Sequence, residues 1–229
     1  MFLSERSAQA EYFDAPERTA SELRAHYAWL QRINRITRFE RPFRVWLPRL
    51  LPESTCRSMS VLDIGAGEGE LGRTLTAWSA GRGWEWRFTD LDLSAHACNR
   101  NPNLRVMVGS ATLLPFPDGH FDAVIASTMT HHLGSEEDVI RHFQEAARVS
   151  RGAVLICDMQ RSVLFLAMLW ALLRACRAPR EFRNDGLLSV RRGWRAAEWR
   201  RLAKEAGLDS ARVWTEHSAH ILLSYRRPS

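Results

Sequence analysis

The stretch VLDIGAGEGELGRT, residues 61–74, decides the fold, because it joins an apolar run to a glycine-rich turn and then to a helical pattern. Residues 60–64 predict a short buried strand, and residues 70–80 predict the helix that follows the turn. Glycines permit tight backbone geometry, and the first turn of a helix presents free N–H groups to a ligand. The stretch therefore predicts a nucleotide-bearing ligand at a strand–turn–helix junction.

Two overlapping glycine patterns in this turn predict different ligands. Gly67, Gly69 and Gly72 match G-x-G-x-x-G, the dinucleotide fingerprint. Gly65, Gly67 and Gly69 match G-x-G-x-G behind Asp63. Alone, either pattern is also compatible with a purely structural turn, so the choice depends on the neighbouring residues.

Register and charge favour the second pattern. A dinucleotide fingerprint begins where its strand ends, which is Gly65 here, and Glu70 then stands where the third glycine belongs. Glu68 and Glu70 suit the positive end of a helix dipole but repel a pyrophosphate. A sulfonium cofactor with an amino-acid tail carries no phosphate, so the turn favours methyl transfer over hydride transfer.

Strand and helix patterns alternate from residue 60 onward, which predicts a parallel sheet covered on both faces. Further strands are predicted at 84–90, 104–109, 121–127 and 152–158, and around 209–216 and 219–226. Helices are predicted at 93–100, 135–150 and 195–207, with an apolar helix after Asp158 and an irregular basic stretch behind it. Residues 17 to about 50 predict helix, punctuated by prolines at 42, 48 and 52. We therefore expect an N-terminal helical cap or lid over 1–58 and a core over 59–229.

Composition limits the classes of function. The 229 residues are 45% hydrophobic and 25% charged, which suits a globular chain. The net charge is +6, but all except one of the 32 basic residues are arginines dispersed along the chain, so a nucleic-acid partner is not expected. Four widely spaced cysteines without a C-x-x-C pair, and an N-terminus without a long apolar core, predict a reduced cytoplasmic protein.

Three segments resemble the class I S-adenosylmethionine (SAM)-dependent methyltransferases over roughly residues 60–160. VLDIGAGEGELG resembles the first motif of that family, and FTDLDLSAHA resembles the second-strand motif whose acid binds the ribose hydroxyls. The stretch VGSATLLPFPDGHFDAVIASTMTHHL resembles the family pattern G-D-A…L-P-F…F-D…H-H-L, which is more specific than the glycines. Ser110 stands where the family commonly has an acid beside the adenine amino group.

The resemblance implies an α/β fold with a Rossmann-like, seven-stranded, mostly parallel sheet, helices on both faces and a C-terminal antiparallel hairpin. It implies SAM as the cofactor and Asp92 as the ribose ligand, with Asp90 as the alternative. The implied cofactor-binding residues are Asp63, Gly65, Ala66, Gly67, Gly69, Asp92, Leu93, Ser110, Ala111 and Ser127.

Candidate catalytic residues follow the fourth and fifth predicted strands, where ligands of open α/β sheets bind. His131 and His132 come after 121–127, and an imidazole titrates near neutrality, so either one is a candidate general base. Asp158 ends the fifth strand, where it would orient a histidine or meet the substrate. No zinc-ligand spacing is present, so no metal is expected.

Residues 162–177 contain an eleven-residue apolar core that is too short to span a bilayer, for which about 20 residues are needed. Three interpretations stay open: a buried helix, a wall of an acceptor pocket, or an interfacial membrane helix followed by arginines. The leading hypothesis is methylation of a small lipophilic acceptor (a phenol, quinol or polyketide), on oxygen rather than carbon. The N-terminal segment also resembles small methyltransferases of polyketide and quinone pathways. The alternatives are an NAD(P)-dependent oxidoreductase, a non-catalytic SAM-binding protein and an RNA methyltransferase.

Overall fold

A seven-stranded sheet forms the centre of the computed structural model, which describes residues 3–15, 17–94 and 106–227. The strand order is β3-β2-β1-β4-β5-β7-β6. The strands are β1 (Ser58–Ile64), β2 (Glu85–Asp92), β3 (Val106–Val108), β4 (Phe121–Ser127), β5 (Ser150–Met159), β6 (Arg212–Glu216) and β7 (His220–Arg226). The predicted strands are all found.

The pairing of the strands is parallel from β3 through β5. Strand β7 runs opposite to the other six strands, since it pairs antiparallel with both β5 and β6. The predicted Rossmann-like sheet with a C-terminal antiparallel hairpin is therefore confirmed. The carboxyl ends of β1, β2, β4 and β5 share one edge, which is where such folds bind ligands.

Helices lie on both faces of this sheet, as predicted. They are α1 (Ala20–Thr37), α2 (Arg41–Leu50), α3 (Glu53–Arg57), α4 (Glu70–Ala80), α5 (Glu136–Val149), α6 (Val163–Ala175), α7 (Arg180–Arg192) and α8 (Ala196–Glu205), with short 3-10 turns at Tyr12–Asp14 and Thr130–His132. The helix predicted at 93–100 lies mostly outside the described residues. None of the described helices is both long enough and apolar enough to cross a bilayer.

Two buried clusters attach these helices to the sheet. On one face α5 and α8 meet through Phe143 and Trp199, whose rings lie 5.6 Å apart edge to face. On the other face α2 contributes Phe43 and Leu47, both fully buried, beside residues of α4 and the strands. The division of the chain at residue 58 stays a prediction, but this packing joins α2 to the sheet.

A third cluster lies outside the two sheet layers. It joins Ile33 of α1, Leu169 and Leu173 of α6, and Phe182 and Val190 of α7. Because α6 begins shortly after the end of β5, this cluster lies beside the carboxyl edge of the sheet.

Two local expectations are wrong. The stretch expected to be irregular contains the helix α7 (Arg180–Arg192), since Phe182 and Val190 bury an apolar face against α1 and α6. The helix expected from 17 to about 50 is interrupted before its prolines, where Arg38 adopts a left-handed conformation with φ 53°. Pro42 then occupies the first turn of α2, where its missing N–H breaks no hydrogen bond.

Candidate functional site

The glycine turn lies between β1 and α4 and folds over the end of β2. The backbone N–H groups of Gly65 and Ala66 donate to the carbonyl of Leu91 at 2.7 and 3.1 Å. Gly65 has a φ of +72°, and a Cβ there would lie 2.6 Å from Cβ of Met129, so only glycine fits. The turn thus contacts the loop after β4 that carries the candidate histidines.

Gly67 has more open space around it than Gly65. Its φ is +55°, and a Cβ there would meet only a ring carbon of Tyr27, at 3.4 Å. The Gly67 N–H donates to Oδ2 of Asp92 at 2.8 Å, and the Ser94 N–H donates to Oδ1 of the same carboxylate at 2.8 Å. Asp92 therefore fixes the turn and stands half-buried at the open end of β2.

Asp90 lies two residues deeper in β2 than Asp92. It is buried, and a Cβ on Gly72 of α4 would lie 3.1 Å from its Oδ1. Burial raises its pKa to about 6. Of the two candidate acids, Asp92 is the one that a ligand over the turn can reach.

Asp63 lies beneath the turn, opposite Asp90 in the register of β1 and β2. Burial, and then the charges of Asp90 and Asp92, raise its pKa well above the ordinary value. Its Oδ2 has no hydrogen-bond partner in the described part of the chain. A buried carboxyl oxygen of this kind costs free energy unless a ligand, water or proton satisfies it.

The other predicted cofactor residues lie at the same edge of the sheet. Leu93, directly after Asp92, is 76% exposed. Ser110 hydroxyl accepts from the Thr112 N–H at 3.2 Å, Ala111 is buried, and Ser127 ends β4. The structure thus brings all the predicted cofactor residues to one end of the sheet, which fits a nucleoside-bearing cofactor along the ends of β1 and β2.

Helix α1 lies over the glycine turn. Gln31 Nε2 donates to Glu68 at 3.4 Å, and Asn34 Nδ2 donates to Glu70 at 2.8 Å. The two carboxylates that oppose a pyrophosphate are thus both held by α1. Tyr27 on the same helix faces Gly67, so this helix borders the space above the turn.

His131 and Asp158 form a buried pair. Oδ1 of Asp158 lies 2.7 Å from Nδ1 of His131, and Oδ2 accepts the His131 backbone N–H at 2.7 Å. The side chains are 2% and 0% exposed. Burial alone would raise the pKa of Asp158, but the charge and hydrogen bonds of His131 hold it below the ordinary value. An ionised carboxylate can only accept, so Nδ1 carries the proton and Nε2 is left as the basic nitrogen.

The two histidines, which the sequence could not separate, differ in surroundings. His132 is 36% exposed, and its Nδ1 lies 3.2 Å from Asp14. His131 faces inward, with Nε2 3.6 Å from Oε1 of Glu11. Only His131 has the buried carboxylate partner that fixes its tautomer.

Residues 3–15 cover this pair, and nothing in the sequence pattern indicated it. The Arg6 guanidinium donates to the carbonyl oxygens of His131 and Leu133. Glu11 accepts from the Ser189 hydroxyl of α7 at 2.8 Å, and burial raises its pKa to about 7. Long-range pairing of a short N-terminal segment with a distant helix leaves no local signal, so Arg6, Glu11 and Ser189 were not foreseen.

Donor atoms of Glu11, His131 and His132 lie within 4.8 Å of one another, close enough to hold a metal ion. However, the guanidinium of Arg192 lies 3.7 Å from Glu11 and 3.0 Å from Asp14. A fixed cation at this place favours ion pairing of the carboxylates over metal ligation. The expectation of no metal stays a prediction.

The comparisons with known proteins agree with this architecture. Residues 62–157 match the family model described as a methyltransferase domain. That range contains the glycine turn, Asp92 and the histidine loop. Together the match and the fold support a class I SAM-dependent methyltransferase, with SAM as the cofactor.

Solved structures share this fold at low sequence identity. A SAM-dependent methyltransferase from Thermotoga maritima is 17% identical, with a TM-score of 0.57 over 88% of this chain and 96% of its own. The CMeT domain of the citrinin polyketide synthase is 14% identical, with a TM-score of 0.52 over 73% of this chain and 46% of its own. The CurJ carbon methyltransferase is 16% identical, with a TM-score of 0.52 over 79% of this chain and 51% of its own. No curated protein sequence matches the chain.

Proposed function

We propose that this enzyme transfers the methyl group of SAM to a small lipophilic acceptor (a phenol, quinol or polyketide), with His131 as the general base. The observation that carries the base assignment is the buried pair in which Asp158 accepts from both Nδ1 and the backbone N–H of His131. A base held in one tautomer and one orientation, beside the cofactor turn, is the arrangement that proton removal requires.

When bound, SAM supplies an electrophilic methyl group on a sulfonium. Asp92 would accept hydrogen bonds from the ribose hydroxyls with the lone pairs that Gly67 and Ser94 leave free, and Leu93 would cover an apolar face of the nucleoside. The unpartnered Oδ2 of Asp63 supports a polar contact under the same turn, made directly or through water. The roles of Gly65, Ala66, Gly69, Ser110, Ala111 and Ser127 follow from their position on this edge.

At the acceptor, Nε2 of His131 would take the hydroxyl proton, while bound SAM would supply the methyl group to the oxygen and, with its sulfur–methyl bond broken, leave as S-adenosylhomocysteine. Asp158 stabilises the imidazolium that results, and the proton then leaves to solvent. Oε1 of Glu11 lies 3.6 Å from this nitrogen. The acceptor therefore approaches either when residues 3–15 move aside or by taking the place of Glu11 beside Nε2.

Oxygen is favoured as the methylated atom because a neutral imidazole is a competent base for an acidic hydroxyl near neutral pH. Carbon methylation is the alternative, and the CurJ domain carries that description, but at 16% identity its likeness concerns the fold alone. A polyketide with an acidic carbon between two carbonyl groups could be deprotonated by the same base and then methylated on carbon.

Calorimetry with SAM, S-adenosylhomocysteine and NAD tests the cofactor, and a screen of phenols, quinols, polyketides and RNA tests the acceptor by mass spectrometry of the product. We expect binding of the first two ligands, no NAD binding, and methylation of at least one lipophilic acceptor. NAD binding without SAM binding would refute the assignment. SAM binding with no turnover across the screen would favour a non-catalytic binding protein, and turnover only with RNA would favour an RNA methyltransferase.

A further inference from the structure

Helix α6 exposes an unusually apolar face. Val163, Leu164, Met168 and Trp170 are 69%, 57%, 49% and 52% exposed, which makes this one helix the largest source of exposed large apolar side chains in the described part of the chain. Scattered exposed apolar residues need no explanation, but a contiguous set on one element marks an interaction surface.

The exposed and buried residues of α6 occupy opposite sides of the helix. At about 100° per residue, Val163, Leu164, Ala167, Met168, Trp170 and Ala171 share one side, and all six are exposed. Leu169 and Leu173 lie on the other side and pack into the cluster formed with α1 and α7. The inner side packs against the protein core, and the outer apolar side has no partner among the described residues.

Positive charge borders this face at the carboxyl end of the helix. Arg174, Arg177, Arg180 and Arg183 follow at steps of three residues, and none of them has an ion-pair partner in the parts of the chain that the structure describes. A groove of about 220 Å³ lies beside them, lined by Trp170, Leu173, Arg174, Arg183, Asn184 and Leu187. The Arg174 guanidinium lies 5.5 Å from the centre of the Trp170 ring.

We propose that α6 is a membrane-docking helix that lies flat in the surface of an anionic bilayer. Val163, Leu164, Met168 and Trp170 enter the boundary between headgroups and acyl chains, and the arginines bind lipid phosphates. An apolar face with tryptophan and adjacent arginines is the composition of interfacial helices. The thirteen residues of α6 extend about 20 Å, enough to lie along the surface but not to cross it.

An anionic bilayer explains both halves of this surface, whereas a second copy of the chain explains only one. Apolar residues alone would suit either partner, but α6 carries no acidic residue, so the same face of a second copy would offer the arginines no opposite charge. Arginine clusters attract the negative surface of a bilayer. The proposal does not rest on the proposed methylation, because neither SAM nor an acceptor is needed for docking.

Vesicle flotation tests the proposal directly on the full chain. Vesicles of phosphatidylcholine with phosphatidylglycerol should carry the protein, vesicles of phosphatidylcholine alone should carry at least tenfold less, and 1 M salt should weaken binding to the anionic vesicles. Leu164→Glu and Trp170→Glu should each lower the partition coefficient at least tenfold, because a charge enters the apolar layer.

Val108→Glu is the matched control, because Val108 is 58% exposed, close to the 57% of Leu164, and lies on β3 at the far edge of the sheet. This variant should float like the parent protein, and circular dichroism of all variants checks that they fold. No binding of the parent protein to anionic vesicles, or equal binding of Leu164→Glu, would overturn the proposal. A dimer in sedimentation velocity that Leu164→Glu dissociates would assign the face to a second copy instead.

Discussion

Oε1 of Glu11 lies 3.6 Å from Nε2 of His131, which is the ring nitrogen that Asp158 does not contact. The N-terminal segment thus occupies the side of the imidazole from which an acceptor has to approach. The proposed catalysis by His131 and the docking of residues 3–15 would therefore compete for one nitrogen atom, which gives several measurable consequences.

Replacing His131 should separate catalysis from cofactor binding. His131→Ala should lower kcat by about 10² to 10⁴, the range that a positioned general base contributes. SAM affinity in calorimetry should stay within about twofold, since His131 lies outside the glycine turn. Asp158→Asn should lower kcat as well, because an amide can donate to Nδ1 and favour the wrong tautomer.

His132→Ala is the control for this experiment, because His132 is partly exposed and bonded to Asp14 rather than to Asp158. Its kcat should fall by less than about tenfold. A large loss in His132→Ala beside normal turnover in His131→Ala would reverse the assignment of the base.

Asp92→Ala should weaken SAM binding by about 100-fold or more. The change removes the carboxylate proposed to hold the ribose and also the acceptor of the Gly67 N–H, and each hydrogen bond to a charged group contributes about 1.5–3 kcal/mol. Calorimetric titration of SAM measures the effect, with Asp92→Asn as the partial variant because it keeps one acceptor oxygen. Parent-like affinity in Asp92→Ala would exclude the ribose role.

The docking of residues 3–15 should depend on pH through Glu11. Burial raises its pKa to about 7 from an ordinary 4.5, so the docked state favours the protonated carboxyl. That contribution is complete below pH 4.5 and is lost as the pH rises through about 7. Amide exchange in residues 3–15, corrected for intrinsic rates, should therefore speed up about tenfold more between pH 5.5 and 8.5 than exchange in β5.

Glu11→Gln removes the titrating group and keeps the size of the side chain. In this variant the amide exchange rate of residues 3–15 should depend on pH no more strongly than the exchange rate of β5 does. An unchanged pH dependence in this variant would show that another group controls the segment.

Phe43→Ala should lower the free energy of unfolding by about 3–5 kcal/mol, the usual cost of deleting a fully buried phenylalanine. Phe43 is 0% exposed and packs α2 onto the sheet. Leu164→Ala, on the exposed face of α6, should change it by at most about 0.5 kcal/mol. Urea denaturation measures both free energies of unfolding. Equal stability of Phe43→Ala and the parent would show that α2 does not contribute to the core as the packing indicates.

Much of the sheet was predictable because its determinants are local. The apolar runs that became β1, β4 and β5 are dense and bounded by turns, and the glycines of the β1–α4 turn require φ values that other residues avoid. The same locality explains the failure at α7, a basic stretch that was predicted to be irregular; it contains Asn184, Asp185 and Gly186, residue types with low helix propensity. In the fold, a Cβ on Gly186 would lie 3.2 Å from Leu173, so the glycine allows α6 and α7 to approach closely.

The site shows the same division. Asp92, His131 and Asp158 follow strand ends, and the sequence places them at one edge of a parallel sheet. Which histidine meets Asp158 depends on the course of a short 3-10 turn, and the approach of Glu11 depends on a contact across 120 residues of chain. Neither has a periodic or compositional signal.

The link between β5 and α6 is short. Asp158, the partner of His131, is the second-to-last residue of β5, and α6 begins at Val163. A protein held on a bilayer by α6 would keep its base within a few residues of the lipid surface. A lipophilic acceptor would then reach it by lateral diffusion in two dimensions, and the rate would follow the mole fraction of acceptor in the lipid rather than its bulk concentration. Diluting the acceptor with inert lipid would slow such an enzyme even at constant total acceptor.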